Sequence, residues 1–289
     1  MKRVGFVVHP DREPALWAAD RLSGWLEERG VETRRLTEDA RVGSEAAAVF
    51  GEGLDLIVSV GGDGTFLRAA HLSHPVGCPI LGIKVGRLGF LTEIEPDHAP
   101  AILQRFLDDT AVIEERLAVL AEPSGAASFE PQWALNEMMV EKRARHRIIR
   151  LALFVDDVYI TTFSADGVIV ATPTGSTAYS FSAGGPIVTP TIPCILVTPV
   201  AAHMVFDRSL VLSADERVTL EVVGEEDGLL SADGRESLEL PVGAAVRIGR
   251  APVPARLVRP NHMPDFHALV REKFDLPGED PGTQHGPSV

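Results

Sequence analysis

The chain has 289 residues, 45% hydrophobic and 24% charged, enough to bury a sizeable core and a length that favours two domains. Its formal net charge of −14 argues against a general binder of nucleic acid or anionic membrane, so any phosphate must be held locally, by backbone N–H groups, a few basic side chains or a divalent cation. Its two cysteines, Cys78 and Cys194, both in apolar settings, are too few for a disulfide framework or a metal site and read as buried thiols in a reducing compartment.

Residues 4–8 form a β-branched run fit for a buried strand. The apolar part of this N-terminus is too short for a signal peptide. A helical spacing follows through Pro14, Leu16, Trp17, Leu22, Trp25 and Leu26, closed by Gly30, a natural left-handed cap. Residues 31–36 alternate like a strand, 54–60 read as a buried strand, 65–72 as a helix, 79–83 as a strand and 96–108 as an amphipathic helix. Strands alternating with helices predict an α/β domain over residues 1–110, a parallel sheet covered by helices.

From 111 to 260 helical periodicity gives way to short strand-like runs. They fall at 112–120, 148–155, 158–163, 168–171, 195–200, 217–223, 238–240 and 246–248, separated by turn pairs such as Asp156-Asp157 and Asp233-Gly234. This predicts an all-β domain with one inserted helix near 176–182. The apolar stretch 192–206 is broken by Pro193, Pro199 and His203 and does not read as a membrane span, so a cytoplasmic protein is expected. Residues 263–274 regain helical spacing through Phe266, Leu269, Val270 and Phe274, so 261–276 is expected to pack back on the first domain. Residues 277–289 lack apolar anchors and are expected to be disordered.

Two motifs carry chemistry. Gly61-Gly62-Asp63-Gly64-Thr65 joins a buried strand to a helix. Its glycines permit close approach to a ligand, and the helix start aims unpaired N–H groups at the same place, which suits phosphate at Gly61, Gly62, Gly64 and Thr65. A carboxylate beside phosphate is repulsive unless it accepts a proton from an attacking hydroxyl or holds a divalent cation, and both tasks point to phosphoryl transfer. The bland alternative for Asp63 is a helix N-cap. The second motif is the run of residues 164–186, in which small and hydroxyl residues allow close approach of a flat ligand and supply donors and acceptors. Tyr179 can stack on or cover a ring.

With these two motifs in order and Asn136-Glu137 between them, the sequence closely resembles the NAD kinase family, from Val4 to about Pro260; Leu88-Gly89-Phe90-Leu91 is a further shared motif. The resemblance implies phosphorylation of the 2′-hydroxyl of the adenosine ribose of NAD to give NADP. It implies ATP or polyphosphate as donor and Mg²⁺ or another divalent cation carried in with the nucleotide, with no fixed protein ligands to the metal. It also implies a homodimer or homotetramer and a site in the cleft between the two domains. By resemblance, Asp63 is the general base, Gly64 and Arg68 hold phosphate and Phe66 lies near the adenine. Asn136 and Glu137 contact ribose and adenine, and Asp166 meets the nicotinamide end. Thr177, Ala178, Tyr179, Ser180, Phe181 and Ser182 line the pockets, Arg147 reaches a ligand across a subunit boundary, and Ala201 packs on the site. Ser164 and Arg235 are carried as ligand contacts at positions that depart from the family pattern, as do Lys84 and Ala201-Ala202-His203. Two alternatives stand beside this reading. A diacylglycerol-type lipid kinase shares the glycine-rich turn but needs an apolar acceptor pocket. A non-catalytic dinucleotide sensor needs a damaged base position.

Overall fold

A computed structural model describes residues 1–36, 44–235, 237–260 and 266–276. The first layer runs β1 (Arg3–Val8), α1 (Glu13–Glu27), β2 (Glu32–Arg35), α2 (Glu45–Gly51), β3 (Leu56–Gly61), α3 (Asp63–Ser73), β4 (Ile80–Lys84) and α4 (Ala99–Leu107). Strands then dominate: β5 (Val112–Arg116), β6 (Val119–Gly125), β7 (Gln132–Ala134), β8 (Glu137–Lys142), β9 (Ile149–Val155), β10 (Val158–Ala165) and β11 (Gly167–Ala171). A 3₁₀ turn at Thr174–Thr177 and the short α5 (Tyr179–Ser182) interrupt them. The chain continues through β12 (Cys194–Val200), β13 (Leu210–Ser213), β14 (Val218–Val223), β15 (Gly228–Ala232), β16 (Leu238–Leu240), β17 (Ala244–Arg250), β18 (Ala255–Arg259) and α6 (Phe266–Lys273).

The first sheet has the order β2-β1-β3-β4-β18-β5. It is parallel from β2 through β18, and β5 pairs antiparallel with β18. β3 is buried along its whole length, as a central strand covered on both faces must be, which is why it reads as one apolar run. On α1 the buried residues Ala15, Ala18, Ala19, Leu22 and Leu26 repeat with the helical period and pack with α4 on one face of the sheet. Phe50 of α2 and Phe66, Ala69 and Ala70 of α3 pack on the other face.

Two antiparallel sheets, β10-β9-β14-β17-β6-β7 and β13-β12-β11-β8-β15-β16, form a sandwich. Its core is built from alternate residues of both, among them Leu151, Leu153, Val168, Val170, Leu220 and Val246.

Three expectations change. The single run 112–120 is two strands, because the chain breaks at Leu117-Ala118; β5 joins the first sheet and β6 the sandwich. With β18 returning from near the end of the chain to lie between β4 and β5, the first sheet extends past the boundary placed at residue 110 and is mixed rather than parallel. Helix α2 is an element the sequence reading does not name; its Ala47, Phe50 and Gly51 are buried, but at seven residues it is too short for periodicity to announce it. The returning helix starts at Phe266; residues 263–265 of its expected span, and the tail 277–289, lie outside the described residues.

Gly175 is fixed by packing: a methyl group there would overlap the Asn136 carbonyl. Gly175→Ala is expected to destabilise the protein by about 1–3 kcal/mol. Chemical denaturation would report it; an unchanged midpoint would mean that this backbone approach is not tight.

Candidate active site

The first part of the site follows from strand order. β1 and β3 are neighbours, but the chain leaves β1 toward β2 and leaves β3 toward β4. The crevice at their carboxyl ends is therefore a topological switch point, where open α/β sheets bind ligands. A cleft of about 500 Å³ lies there, lined by the β1–α1 loop (His9, Asp11, Arg12) and by Gly62, Asp63, Gly64, Thr65 and Arg68. Arg12 is anchored through Nη1, which donates to the Val85 carbonyl at 2.8 Å.

Helix α3 begins at Asp63 after Gly62, and no side chain caps it. Its first-turn N–H groups are left for a ligand. The Asp63 carboxylate turns instead to the following loop. Its Oδ1 accepts from Leu91 N (3.1 Å), Thr92 N (3.3 Å) and Thr92 Oγ1 (3.3 Å), and its Oδ2 from Phe90 N (2.9 Å). The N-cap alternative therefore fails on geometry. Oδ1 is saturated, while Oδ2 carries one hydrogen bond and keeps a lone pair. Gly89 makes the loop's approach possible, since a Cβ there would fall on the Asp63 carboxylate.

The second part centres on Asn136-Glu137. The buried Asp233 carboxylate accepts from the backbone N–H groups of Leu135 (2.9 Å), Asn136 (2.8 Å) and Glu137 (3.0 Å), and pairs with His71 Nε2 at 2.9 Å. The backbone is thus satisfied, but Asn136 Oδ1 and Glu137 Oε2 have no partner among the described residues, although these residues are only 7% and 9% exposed. A buried polar atom left unpaired costs about 1–3 kcal/mol, so both call for groups on a ligand. Burial, reinforced by the nearby Asp233 charge, pushes the Glu137 carboxyl up to about 8, with the Tyr179 N–H opposing the shift. At neutral pH Glu137 is mostly a carboxylic acid and can donate a hydrogen bond.

The hydroxyl-rich segment is tied to this pair. Thr172 N donates to the Asn136 carbonyl (2.8 Å), Thr172 Oγ1 to the Leu135 carbonyl (2.6 Å), and Gly175 N to Thr172 Oγ1 (3.1 Å). Thr177 and Ala178 are half-buried, and Tyr179, Phe181 and Ser182 are exposed along α5.

Residues 4–111 match the ATP-NAD kinase N-terminal domain, and residues 135–260 the ATP-NAD kinase C-terminal domain. The chain belongs to the NAD kinase family. It is 38% identical to an NAD kinase of Rhodococcus erythropolis, across 96% of this chain and 94% of that one. To an NAD kinase of Thermobifida fusca it is 39% identical, across 96% and 90%. The crystal structure of an Archaeoglobus fulgidus NAD kinase in complex with ATP aligns with a TM-score of 0.72 at 28% identity, covering 95% of this chain and 97% of that one. Yeast NADH kinase complexed with NADH aligns with a TM-score of 0.85 at 22% identity, over 97% and 89%, a likeness of fold.

Other positions expected from the NAD kinase family are placed less uniformly. Phe66, expected near the adenine, is 1% exposed in the core between α3 and the first sheet and packs against Gly82, so it presents no face to a ligand. Ser180 is buried against Thr198, at 3.1 Å between hydroxyls, and serves packing. Asp166 is paired with Lys142 at 2.5 Å. The Ser164 carbonyl accepts from His203 N, and Ala201 sits exposed at φ 47°. Arg147 lies on the surface beside Glu226 at 3.5 Å. Arg235 Nη1 meets His71 Nδ1 at 3.0 Å and supports the Asp233 contact from behind. Lys84, a departure from the family pattern, pairs with Glu95 at 2.7 Å.

Sequence reasoning missed Asp233, His71 and the β1–α1 loop. Asp233-Gly234 reads as a turn and is one, with φ of 50° and 68°, and nothing in its spacing announces a partner 162 residues away.

Because the folded state disfavours ionised Glu137, its carboxyl destabilises the protein progressively as pH rises from the unfolded value of 4.5 through about 8. Glu137→Gln removes this term. Its stability relative to the parent is expected to rise across that window and level off beyond it, as read by denaturant unfolding at several pH values. A difference independent of pH would show that Glu137 is not a buried acid.

Proposed function

We propose that this chain transfers the terminal phosphoryl group of ATP to the 2′-hydroxyl of the adenosine ribose of NAD, giving NADP, with Asp63 as the base that accepts or orients the hydroxyl proton. The observation that carries this reading is the free lone pair on Asp63 Oδ2, held by the Phe90 N–H beside an uncapped helix start. A hydroxyl placed there has a proton acceptor, and a phosphate beside it has backbone N–H donors. The unpaired side-chain atoms of Asn136 and Glu137 suit the ribose and base edge of the acceptor.

Arg12 and Arg68 give the cleft the cationic lining that a triphosphate or polyphosphate chain needs. ATP is favoured as donor because the Archaeoglobus fulgidus relative is described in complex with it. Among the described residues no group of three or more His, Cys, Asp or Glu side chains is arranged to hold a metal ion. A divalent cation would enter with the phosphates and face Asp63 and Asp11 on the cleft wall, where it supplies charge screening for the transfer. A homodimer or homotetramer belongs to the same reading. Exposed Arg147 and the exposed Val158, Tyr159 and Ile160 on the edge strand β10 suit burial against a second copy.

Asp63→Asn is expected to lower ATP-dependent NADP formation by about 10²- to 10⁴-fold while leaving NAD binding intact. Turnover assays with ATP or polyphosphate as donor, beside calorimetric titration of NAD, separate the two effects. Wild-type turnover in the variant would remove Asp63 from the chemistry.

A further inference from the structure

A second cavity, of about 350 Å³, lies away from the phosphate cleft, at the other end of α3, where that helix meets α2 and β7. Eleven residues of helix separate the two ends, roughly 15 Å at 1.5 Å per residue. Ala47, Ala48, Leu72 and Val76 give it apolar walls. Its polar groups are His71, His74, Gln132, Trp133, Arg235 and Ser44, and among the described residues no carboxylate lines it, in a chain that carries a net charge of −14.

Two of these groups are unsatisfied. The Trp133 indole Nε1 is buried with no hydrogen-bond partner among the described residues, on a residue only 6% exposed. An indole N–H is a donor only, so it calls for an acceptor. His74 Nδ1 is likewise buried and unpartnered, and the His74 ring stacks on Trp133 at 4.7 Å between centroids and 16° between planes. Burial holds the His74 imidazole below its ordinary pKa, so the ring is neutral at neutral pH. Arg235 supplies positive charge at the wall.

An unpaired donor, a guanidinium and an aromatic pair beside apolar walls match one chemical class. We propose that this cavity is a binding site for a small organic carboxylate, with its oxygens toward Trp133 Nε1 and Arg235 and its hydrocarbon body against Leu72 and Val76. The site is separate from the phosphate cleft. Through the contact of Arg235 with His71, and of His71 with Asp233, it adjoins the frame that holds Asn136 and Glu137.

Trp133 provides its own reporter. Trp17→Phe with Trp25→Phe leaves it the one tryptophan of the three in the chain. In that background, titration with benzoate is expected to change the fluorescence saturably. Benzamide, the neutral isostere, is expected to bind at least about tenfold more weakly, as loss of a charge-assisted hydrogen bond implies. Ala48→Phe places a ring at the cavity wall from an exposed position of α2 and is expected to abolish the benzoate response without lowering the melting temperature. Inorganic phosphate, lacking a hydrocarbon body, is expected to give no saturable change. No saturable response to benzoate, an equal response to benzamide, or an undiminished response in Ala48→Phe would each overturn the proposal.

Discussion

The Asp233 carboxylate is the contact on which the rest of the site rests. It draws donors from both halves of the molecule, the backbone of 135–137 on the sandwich side and His71 on α3. A buried carboxylate is tolerable only when its oxygens are satisfied, and here four donors satisfy them. The arginine at 235 has donors only, so His71 Nδ1 must accept from it, which leaves the ring proton on Nε2, facing Asp233. The chain Arg235, His71, Asp233 therefore has one consistent direction. Because Asp233 takes the backbone N–H groups of Asn136 and Glu137, their side chains project with unpaired oxygens. The helix that supplies His71 begins, two turns earlier, at Asp63. The cleft at Asp63 and the Asn136-Glu137 pair are thus mounted on one frame, the pre-organisation that the proposed phosphoryl transfer demands.

A second junction holds the frame closed. Arg116 donates to Glu114 (2.6 Å) and to Thr174 Oγ1 (3.3 Å), and Arg259 joins Glu114 (2.6 Å) to Glu93 (3.3 Å). Burial raises the Glu93 carboxyl despite Arg259 and Arg116, whereas for Glu114 burial is outweighed by its bonds to those two arginines and its pKa falls. Such buried networks contribute geometry more than stability. This one fixes the Thr174 turn to the β5–β18 edge of the first sheet. Helix α6 adds an apolar clasp: Phe274 lies 6.0 Å from Phe90, on the loop that holds Asp63, and 4.8 Å from Phe181 of α5. The helix expected to return to the first domain therefore touches both sides.

The legible parts of this chain are those in which local pattern decides structure. β3 followed by Gly61-Gly62-Asp63-Gly64 announces a strand, a tight turn and an exposed helix start, because burial on both faces and freedom of φ are written in residue type. Strands such as Ile149–Val155, Gly167–Ala171, Cys194–Val200 and Val218–Val223 are legible for the same reason, whereas Gln132–Ala134, Glu137–Lys142, Leu210–Ser213 and Gly228–Ala232 are strands that their local pattern does not announce. What is not legible is set by distant partners. β18 joins the first sheet because the chain returns there, and its five residues look no different from a sandwich strand. Phe66 illustrates the opposite failure: its place beside the motif suggests a ligand contact, but helical phase turns it into the core against Gly82. Asp233 has the sequence of an ordinary turn residue, and only tertiary contact gives it four donors.

The most direct test of this account is Asp233→Asn, followed by NAD titration and by thermal unfolding. An amide offers one acceptor oxygen and turns an NH₂ group toward donors, leaving at least one buried N–H unpaired at about 1–3 kcal/mol. The account predicts a lower melting temperature together with NAD binding weakened about tenfold or more, at 1.4 kcal/mol per factor of ten. NAD affinity equal to that of the parent in a folded variant would contradict it, because the Asn136-Glu137 pair would then hold its geometry without the carboxylate.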